Sequence, residues 1–361
     1  MSNTIHNFNA GPSILPREVF QQASEAILNY NNTGLSILEI GHRTELFQSV
    51  MNEAISLVKE LMQLDDGHDV LFLHGGASTQ FFQVPMNLLG DNEMAAYTDT
   101  GVWSAKAIKE ARLFGHVEVV CSSKDTNFNY LPKHFTIPKT ARYLHLTSNN
   151  TIYGTQWQDF NPFYESDVPL VADMSSDILS RTVNFNKFDL IYAGAQKNVG
   201  AAGVNLVIVN KRILGTTGRK LPTMMDYRNH IENGSMLNTP PVFAVFVCML
   251  TLRWLKKMGG VAAIEKVNTE KASLLYETLD KLPLFKGTVA KEDRSKMNVC
   301  FVMDNPELEA AFLAACKQNN IVGAKGHRSV GGFRVSLYNA LPLESVQVLT
   351  ELMTDFAQRK G

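Results

Sequence analysis

Two charged residues follow neighbouring apolar runs near the middle of the chain. Asp173 ends the run VPLVAD, and Lys197 comes 24 residues later, just after the run DLIYAG. A buried carboxylate is costly unless a cation pairs with it, and a lysine among small residues at a strand end can be desolvated and reactive. The pair suits pyridoxal phosphate, with Lys197 forming the Schiff base and Asp173 pairing with the protonated pyridine nitrogen. The alternative is a helix-capping Asp and a surface lysine.

The segment HGGASTQF, residues 74–81, follows another apolar run and opens a helical pattern. Amide groups and the dipole at the start of a helix attract anions, so Ala77 and Ser78 are candidate ligands of a phosphate. The segment has neither the GK[ST] of a P-loop nor the GxGxxG spacing of a dinucleotide-binding turn. An ordinary strand-to-helix turn is the alternative interpretation.

Three more side chains occupy similar positions in the predicted fold. Trp103 begins the helical pattern after MAAYT, where its indole can stack on a flat cofactor ring. Thr151 in TSNNTIYG can bond the phenolic oxygen of the cofactor, and Gln196 can donate its amide to the phosphate. For Trp103, a core or interface tryptophan is the alternative.

The elements that must position these residues follow an alternating pattern. Short runs rich in Val, Ile and Leu are separated by helical patterns from about residue 70 to 210. This predicts an α/β fold with a mostly parallel sheet covered on both faces and functional residues at the carboxyl ends of the strands. From about residue 260 the pattern changes to α+β. We therefore predict an N-terminal arm (1–15), a large domain (16–259) and a small C-terminal domain (260–361).

Composition limits the functional classes. The chain has 361 residues, a net charge of −1 and 45% hydrophobic residues, which excludes general disorder and disfavours a dedicated nucleic-acid binder. The polar N-terminus shows no secretory signal, and the longest apolar run, 242–250, is too short to cross a membrane. The four cysteines lie far apart, so neither a disulfide framework nor a metal site is expected. These features favour a cytoplasmic protein that acts on small molecules.

Long segments in matching order resemble the phosphoserine aminotransferase family, within class V of the fold-type I pyridoxal-phosphate enzymes. The matching segments are NFNAGPSILP, SILEIGHR, VLFLHGGASTQF, GVWSAKAIKEA, ADMSSDILSR, IYAGAQKNVG, NGSMLNTPP, RSKMNV and KGHRSVGGFRVSLYNA. The resemblance implies a seven-stranded sheet, a homodimer, and amino transfer between L-glutamate and 3-phosphonooxypyruvate to give O-phospho-L-serine and 2-oxoglutarate. It also implies the 4-phosphohydroxy-L-threonine step of pyridoxine biosynthesis. Asn238 and Thr239 are implied to reach the cofactor phosphate of the partner subunit.

The implied substrates carry several negative charges, and planar guanidinium groups bind such anions bidentately. By resemblance, Arg334 takes the α-carboxylate. The distal anion is assigned to two His-Arg pairs, with some contacts crossing the dimer: His42, Arg43, His327 and Arg328. For Lys317 and Lys325, which lie near the second pair, a solvated surface is the better interpretation.

The chain departs from the family pattern at Asn150, where an acid is more usual, and at TVNFN, residues 182–186. Rival interpretations are another class V enzyme, such as an alanine–glyoxylate aminotransferase or a cysteine desulfurase, a catalytically silent binding protein, and a lysine-dependent aldolase without cofactor. No cysteine here lies in a segment typical of a desulfurase loop. Two His-Arg pairs are unexplained by alanine–glyoxylate transfer, and an absorbance spectrum distinguishes the last two rivals.

Overall fold

A computed structural model of the protein describes residues 4–360. Its strands, in chain order, are β1 (His6–Asn7), β2 (His68–Leu73), β3 (Met94–Asp99), β4 (His116–Ser122), β5 (Leu144–Thr147), β6 (Leu170–Asp173), β7 (Leu190–Gly194), β8 (Asn205–Asn210), β9 (Phe285–Gly287), β10 (Asn298–Met303), β11 (Ile321–Val322) and β12 (Phe333–Ser336). Its α-helices are α1 (Arg17–Asn29), α2 (Glu45–Met62), α3 (Gly76–Leu88), α4 (Val102–Ala111), α5 (Asn161–Tyr164), α6 (Tyr227–Glu232), α7 (Val242–Lys257), α8 (Gly260–Lys281), α9 (Glu309–Gln318) and α10 (Leu343–Lys360).

The central sheet has seven strands in the order β2-β8-β7-β6-β5-β3-β4. Only β8 runs against its neighbours, and the pairs β7–β6, β6–β5, β5–β3 and β3–β4 are all parallel. The predicted mostly parallel, seven-stranded α/β fold is therefore confirmed. Since six strands point the same way, the loops after β2, β3, β5, β6 and β7 meet at one edge of the sheet.

Helices cover both faces of this sheet, because alternate strand residues point to opposite sides. Ala172 and Ile191 join an apolar core shared with α1, α2 and α7. Their neighbours Val171 and Tyr192 join a second core on the other face, shared with α3 and α4. The central strands β5, β6 and β7 are buried at every position and are therefore rich in apolar residues, whereas the edge strand β4 is largely exposed.

The C-terminal part has its own antiparallel sheet, β12-β10-β9, and its own core with α8, α9 and α10. β1 pairs in parallel with β11, and Phe8 is buried in this C-terminal core. Residues 6–8 therefore pack on the C-terminal part of the protein. Helix α8 links the two parts: Val261 and Ile264 lie in the first core, whereas Leu275 lies in the C-terminal one. The domain boundaries at residues 15 and 259 stay a prediction.

Some element boundaries differ from the sequence-based expectation. The helix expected to start at Ala77 and Ser78 begins one residue earlier, at Gly76, because Gly75 and Gly76 take positive φ angles that allow the chain to turn immediately after β2. The helix expected to reach Phe114 ends at Ala111, since the next residues form i→i+3 turns. The strand expected at 287–289 lies at Phe285–Gly287. Within residues 4–360, no helix is both long and apolar enough to span a membrane.

A buried lysine connects α8 to the segment after β12. The Nζ of Lys271 donates to the carbonyl oxygens of Leu337 (3.0 Å), Tyr338 (2.8 Å) and Leu341 (3.1 Å), and burial lowers the pKa of Lys271 to about 7. We expect Lys271→Met to reduce the free energy of unfolding by about 3 kcal/mol, because it removes the donor for three buried carbonyls.

Chemical denaturation measures this loss, with Lys266→Met as the matched control because Lys266 is an exposed residue of the same helix. If Lys271→Met unfolds at the same denaturant concentration as the control, the ammonium is not an important support of this segment.

Candidate active site

A cavity of about 460 Å³ opens at the edge where the carboxyl ends of the strands meet. Seven of the residues predicted for the site line this one cavity: Ala77, Ser78, Trp103, Thr151, Asp173, Gln196 and Lys197. They come from the loops after β2, β3, β5, β6 and β7, so the strand order of the sheet brings them together. Their roles in binding and catalysis stay predictions.

Lys197 follows β7 in a short turn and is 9% exposed. Its Nζ donates a hydrogen bond of 2.7 Å to the hydroxyl of Thr151, on the neighbouring loop after β5. Burial, opposed by the negative charge of Asp173 and assisted by the positive charge of Arg334, lowers the pKa of Lys197 to about 8. A lysine with this pKa has a substantial neutral, nucleophilic fraction near neutral pH.

Asp173 is the last residue of β6 and is also buried. Its Oδ1 accepts hydrogen bonds from the backbone N–H (3.0 Å) and the hydroxyl (2.6 Å) of Ser175. Burial raises the pKa of Asp173, against the effect of these hydrogen bonds and of the Lys197 charge. Within the described residues neither Asp173 nor Lys197 forms an ion pair, and the lysine donates to Thr151 instead. The carboxylate is thus oriented but lacks a direct cationic partner.

The N-terminus of α3 faces the same cavity. Gly75 precedes the helix without any side-chain cap, so the first N–H groups of the helix are not satisfied by a capping oxygen. Gly75, Gly76, Ala77 and Ser78 all line the cavity. Small residues here let an anion approach the backbone closely, as a phosphate requires.

Three of the predicted substrate residues gather close to one another beside this cavity. Arg334 lies on β12, and its buried Nε has no hydrogen-bond partner among residues 4–360. Its charge acts on Lys197, and burial together with the charges of Arg334, Arg328 and Lys106 lowers the pKa of His327. The carbonyl of His327 accepts from the N–H groups of Val330 and Gly331, which closes a compact loop.

The other four predicted site residues do not line the larger cavity of their own chain. His42 and Arg43 are in the segment between α1 and α2, and the buried Nε2 of His42 has no hydrogen-bond partner within the described part of the chain. Asn238 lines a smaller cavity of about 250 Å³ that shares Gly75 with the larger one. The carbonyl of Thr239 accepts a 2.8 Å hydrogen bond from His74 Nε2. That these residues serve a partner subunit stays a prediction.

The sequence interpretation missed that the N-terminal segment packs beside Lys197. Gly11 and Pro12 line the cavity, and Ser13 bonds through its N–H to the carbonyl of Gln196 (2.9 Å) and through its hydroxyl to that of Lys197 (2.6 Å). A Cβ on Gly11 would stand 3.6 Å from Lys197 Cγ, in ordinary contact, but the φ of +146° favours glycine. The Gly-Pro pair in NAGPS was the sequence signal from which this contact could have been suspected.

Ser175, which orients the Asp173 carboxylate, was also missed. Its position two residues after Asp173 is the spacing of an Asp-based turn and was the available signal.

The two departures from the family pattern have different surroundings. The Nδ2 of Asn150 donates to Thr155 Oγ1 (2.8 Å), and its Oδ1 has no hydrogen-bond partner in the structure's described residues. In the 182–186 segment, Thr182 N–H donates to Glu265 and Asn186 Nδ2 to the carbonyl of Gln63, both at exposed positions. Only Asn150 therefore lies near the site, one residue before Thr151.

The residues present fit pyridoxal phosphate. Thr147 Oγ1 and Trp103 Nε1 are buried polar atoms without a hydrogen-bond partner among the described residues, and both side chains line the cavity. The uncapped start of α3 suits the phosphate, Asp173 suits a protonated ring nitrogen, and the Lys197 amine suits the aldehyde. The donor set matches each functional group of this cofactor.

The lowered pKa of Lys197 predicts how fast cofactor-free protein captures pyridoxal phosphate. The neutral amine is the reactive form, so the second-order rate should rise about tenfold per pH unit at low pH and level off above about pH 8. Stopped-flow absorbance over a pH series measures the rate, and borohydride reduction followed by peptide mapping confirms the labelled lysine. A rate that still climbs steeply near pH 10 would mean that Lys197 has an ordinary pKa.

Comparisons with known proteins agree with this geometry. The sequence model of the family described as "Aminotransferase class-V" matches residues 5–349. The chain is 57% identical to the phosphoserine aminotransferase of Flavobacterium johnsoniae, over 96% of this chain and 97% of that protein. It is 53% identical to the phosphoserine aminotransferase of Bacteroides fragilis, over 97% and 98% of the two chains.

Solved structures give the same result. Phosphoserine aminotransferase from Bacillus circulans subsp. alkalophilus superposes with a TM-score of 0.96 at 44% identity, covering 100% of both chains. The pyridoxal-phosphate-bound phosphoserine aminotransferase of Trichomonas vaginalis superposes with a TM-score of 0.91 at 35% identity, covering 97% of this chain and 100% of the other. The fold, the cavity and these relatives together show that the chain belongs to the class-V aminotransferase family.

Proposed function

We propose that the protein is a pyridoxal-phosphate-dependent phosphoserine aminotransferase. It exchanges an amino group between L-glutamate and 3-phosphonooxypyruvate, giving O-phospho-L-serine and 2-oxoglutarate. The observation that carries the proposal is the meeting of Lys197 and Asp173 in one cavity with Trp103 and the start of α3. Its substrate assignment is supported by 57% identity, over 96% of the chain, to a phosphoserine aminotransferase.

Different residues of this chain have different proposed roles in the reaction. When bound, pyridoxal phosphate supplies an electron sink for the carbanion left when the Cα–H bond of the amino acid breaks. Lys197, freed by the incoming amine, takes the proton from Cα as general base and holds it on Nζ. Thr151 keeps that Nζ in place through its 2.7 Å hydrogen bond, and the negative charge of Asp173 favours protonation at the ring nitrogen.

The substrate anions require positive groups around the cavity. Arg334, whose Nε has no hydrogen-bond partner in the described part of the chain and whose charge acts on Lys197, is the proposed ligand of the α-carboxylate. His327 and Arg328, in the loop between Gly326 and Gly332, are the proposed ligands of the distal carboxylate or phosphate. The N-terminal arm, bonded to the Gln196–Lys197 turn through Ser13, restricts water on that side.

We also propose that the active form is a homodimer. Of the twelve exposed large hydrophobic side chains among residues 4–360, six lie within residues 20–46: Phe20, Ile27, Leu28, Leu35, Leu38 and Leu46. A segment so rich in exposed apolar side chains is typical of a surface covered by a partner. His42 and Arg43 lie within the same segment and outside their own cavity, so a second copy is the proposed source of these two residues.

Leu38→Glu tests this dimer, because Leu38 is 60% exposed and its loss costs little in the monomer. We expect the variant to sediment as a monomer at micromolar concentration and to lose at least about tenfold in activity. Leu113→Glu is the matched control, since Leu113 is 73% exposed but lies outside the 20–46 segment. A dimeric and fully active Leu38→Glu variant would contradict the proposed interface.

The proposed compartment is the cytoplasm. Cys121, Cys248, Cys300 and Cys316 are all free thiols, as expected where the environment is reducing. Small-molecule substrates remain the proposed partners. A net charge of −1 argues against nucleic-acid binding, which usually requires an excess of basic residues.

A coupled assay tests the proposed reaction. Purified holoenzyme is given L-glutamate with 3-phosphonooxypyruvate, pyruvate or glyoxylate, and formation of 2-oxoglutarate is followed with glutamate dehydrogenase. We expect kcat/KM for 3-phosphonooxypyruvate to exceed the others by at least about 100-fold, because the distal positive groups have no partner in the smaller acceptors. A preference for pyruvate or glyoxylate would overturn the substrate assignment.

A further inference from the structure

Lys106 lies on α4, three residues after Trp103 and therefore on the same face of the helix. Its Nζ is 4.5 Å from the centre of the Trp103 ring, within the distance of a cation–π contact. Trp103 lines the cavity that holds Lys197 and Asp173. The indole therefore places a second ammonium group at the border of the active site, although Lys106 itself is exposed.

The ammonium group of Lys106 has no ion-pair partner in the described part of the chain. Elsewhere on the surface, Lys256 and Lys257 are paired with Glu60 and Glu18. Across residues 4–360, no ion pair involves Lys106, and the same is true of Arg328 and Arg334. Cations that lie near one another without a carboxylate repel, and such an arrangement favours an anionic ligand.

The loop that carries His327 and Arg328 packs on the same apolar cluster as Trp103. Gly326 N–H donates to the carbonyl of Gly332 (2.8 Å), which closes the base of the loop. Val330, near its tip, packs with Val102 and Trp103 against one apolar cluster. The charge of Lys106 also contributes to the lowered pKa of His327, so the two side chains are within electrostatic range. Lys106 and the His327–Arg328 loop thus approach the site from opposite domains.

We propose that Lys106 is a specificity-determining residue that binds the phosphate of the phosphorylated substrate, together with Arg328. The proposal rests on the proposed function and assigns a further residue to its distal subsite. A phosphate monoester carries nearly two negative charges at neutral pH, whereas the distal carboxylate of glutamate carries one. An additional ammonium group therefore stabilises the bound phosphorylated acid more than it stabilises bound glutamate.

The geometry also explains why a lysine suits this position. Its ammonium group lies over the indole and keeps three rotatable donors for the anion. Unlike a guanidinium, it needs no fixed bidentate geometry, so it can meet ligands of different length. The alternative is that Lys106 is a solvated surface lysine that packs on Trp103 without binding the substrate phosphate. Substitution of Lys106 separates the two roles.

The test compares Lys106→Met with Lys109→Met in the holoenzyme. Lys109 is an exposed residue of the same helix, and both substitutions remove one positive charge. For Lys106→Met we expect the KM for 3-phosphonooxypyruvate to rise about tenfold, with kcat and the KM for L-glutamate changed by less than about twofold. Lys109→Met should match the unsubstituted protein, and Lys106→Arg should recover most of the phosphate preference.

Calorimetry gives a readout independent of turnover. The probe is 3-phosphoglycerate, which has the carboxylate and the phosphate but neither an amino nor a keto group. Its Kd should rise about tenfold in Lys106→Met, and the variant should show a weaker dependence of Kd on salt concentration. Glutarate, a dicarboxylate without phosphate, should bind both proteins within about twofold.

The outcomes separate the two proposals. If Lys106→Met equals Lys109→Met in KM and in 3-phosphoglycerate binding, Lys106 is a surface lysine and this inference is wrong. An equal loss for glutamate and for the phosphorylated acid would also overturn it, since Lys106 would then support the site in general. If the unsubstituted protein fails to use 3-phosphonooxypyruvate, the proposed function fails first, and that result is visible before any variant is made.

Discussion

Lys197→Ala is expected to lose transamination by at least about 10⁴-fold while the protein remains folded. The amine of Lys197 is the proposed attachment point for the cofactor and the proposed general base, and in the described structure its Nζ is oriented by Thr151 within the cavity. Added pyridoxal phosphate should still bind, because the α3 N-terminus and Asp173 are unchanged. The absorption near the visible edge that marks covalent attachment should disappear.

Two measurements check this result: steady-state turnover of glutamate with 3-phosphonooxypyruvate, and the absorbance spectrum of the dialysed variant. Lys187→Ala is the matched control, because Lys187 is exposed and lies outside the cavity. The assignment would be falsified if Lys197→Ala kept transamination above a few per cent of the control rate.

Asp173→Asn has the second-largest expected effect, a fall in kcat of about 10³-fold. The carboxylate is buried and oriented by two hydrogen bonds from Ser175, so its negative charge is directed at one point of the cavity. The amide keeps the size of the side chain but cannot hold a proton on the ring nitrogen, which weakens the electron sink. Covalent attachment to Lys197 should survive, so the visible spectrum should shift rather than vanish.

This combination of retained attachment and lost turnover distinguishes a role in catalysis from a role in folding. Asp167→Asn, at an exposed position remote from the cavity, provides the control. Thermal unfolding of both variants should differ little from that of the unsubstituted holoenzyme. An Asp173→Asn variant with kcat within about tenfold of the control would contradict the proposed ring-nitrogen contact.

The local sequence pattern was sufficient to predict the sheet and one half of the site. Runs such as VLFL and LIYA are hydrophobic at every position because both faces of their strands are buried, and this marks them without knowledge of the fold. Once the strands are parallel, their carboxyl ends must share an edge. Asp173, Lys197, Thr151 and Trp103 follow such strand ends, and they do meet in one cavity.

Contacts between distant segments were not predictable in this way. No periodicity indicated that Ser13 bonds to Lys197, that β1 pairs with β11, or that Lys271 supports the segment after β12. Each of these contacts joins residues separated by tens to hundreds of positions, and its geometry depends on how finished elements pack. The family resemblance identified Asn238 and Thr239 as site residues from their positions in the sequence. It did not predict which residues they contact in the fold.

Lys106, Arg328 and Arg334, which form no ion pair among residues 4–360, show the same limit of sequence-based prediction. Counting charges gives −1 for the chain, and the sequence shows only that basic residues recur around 325–334. The packing of Val330 and Trp103 against one apolar cluster brings the 326–332 loop close to Lys106, so that the charges of Arg328 and Lys106 both act on His327. Element type and strand ends follow from local periodicity and burial, because those act over a few residues. The electrostatic character of the site follows only from tertiary packing, because it depends on which charges are brought close and which are kept apart.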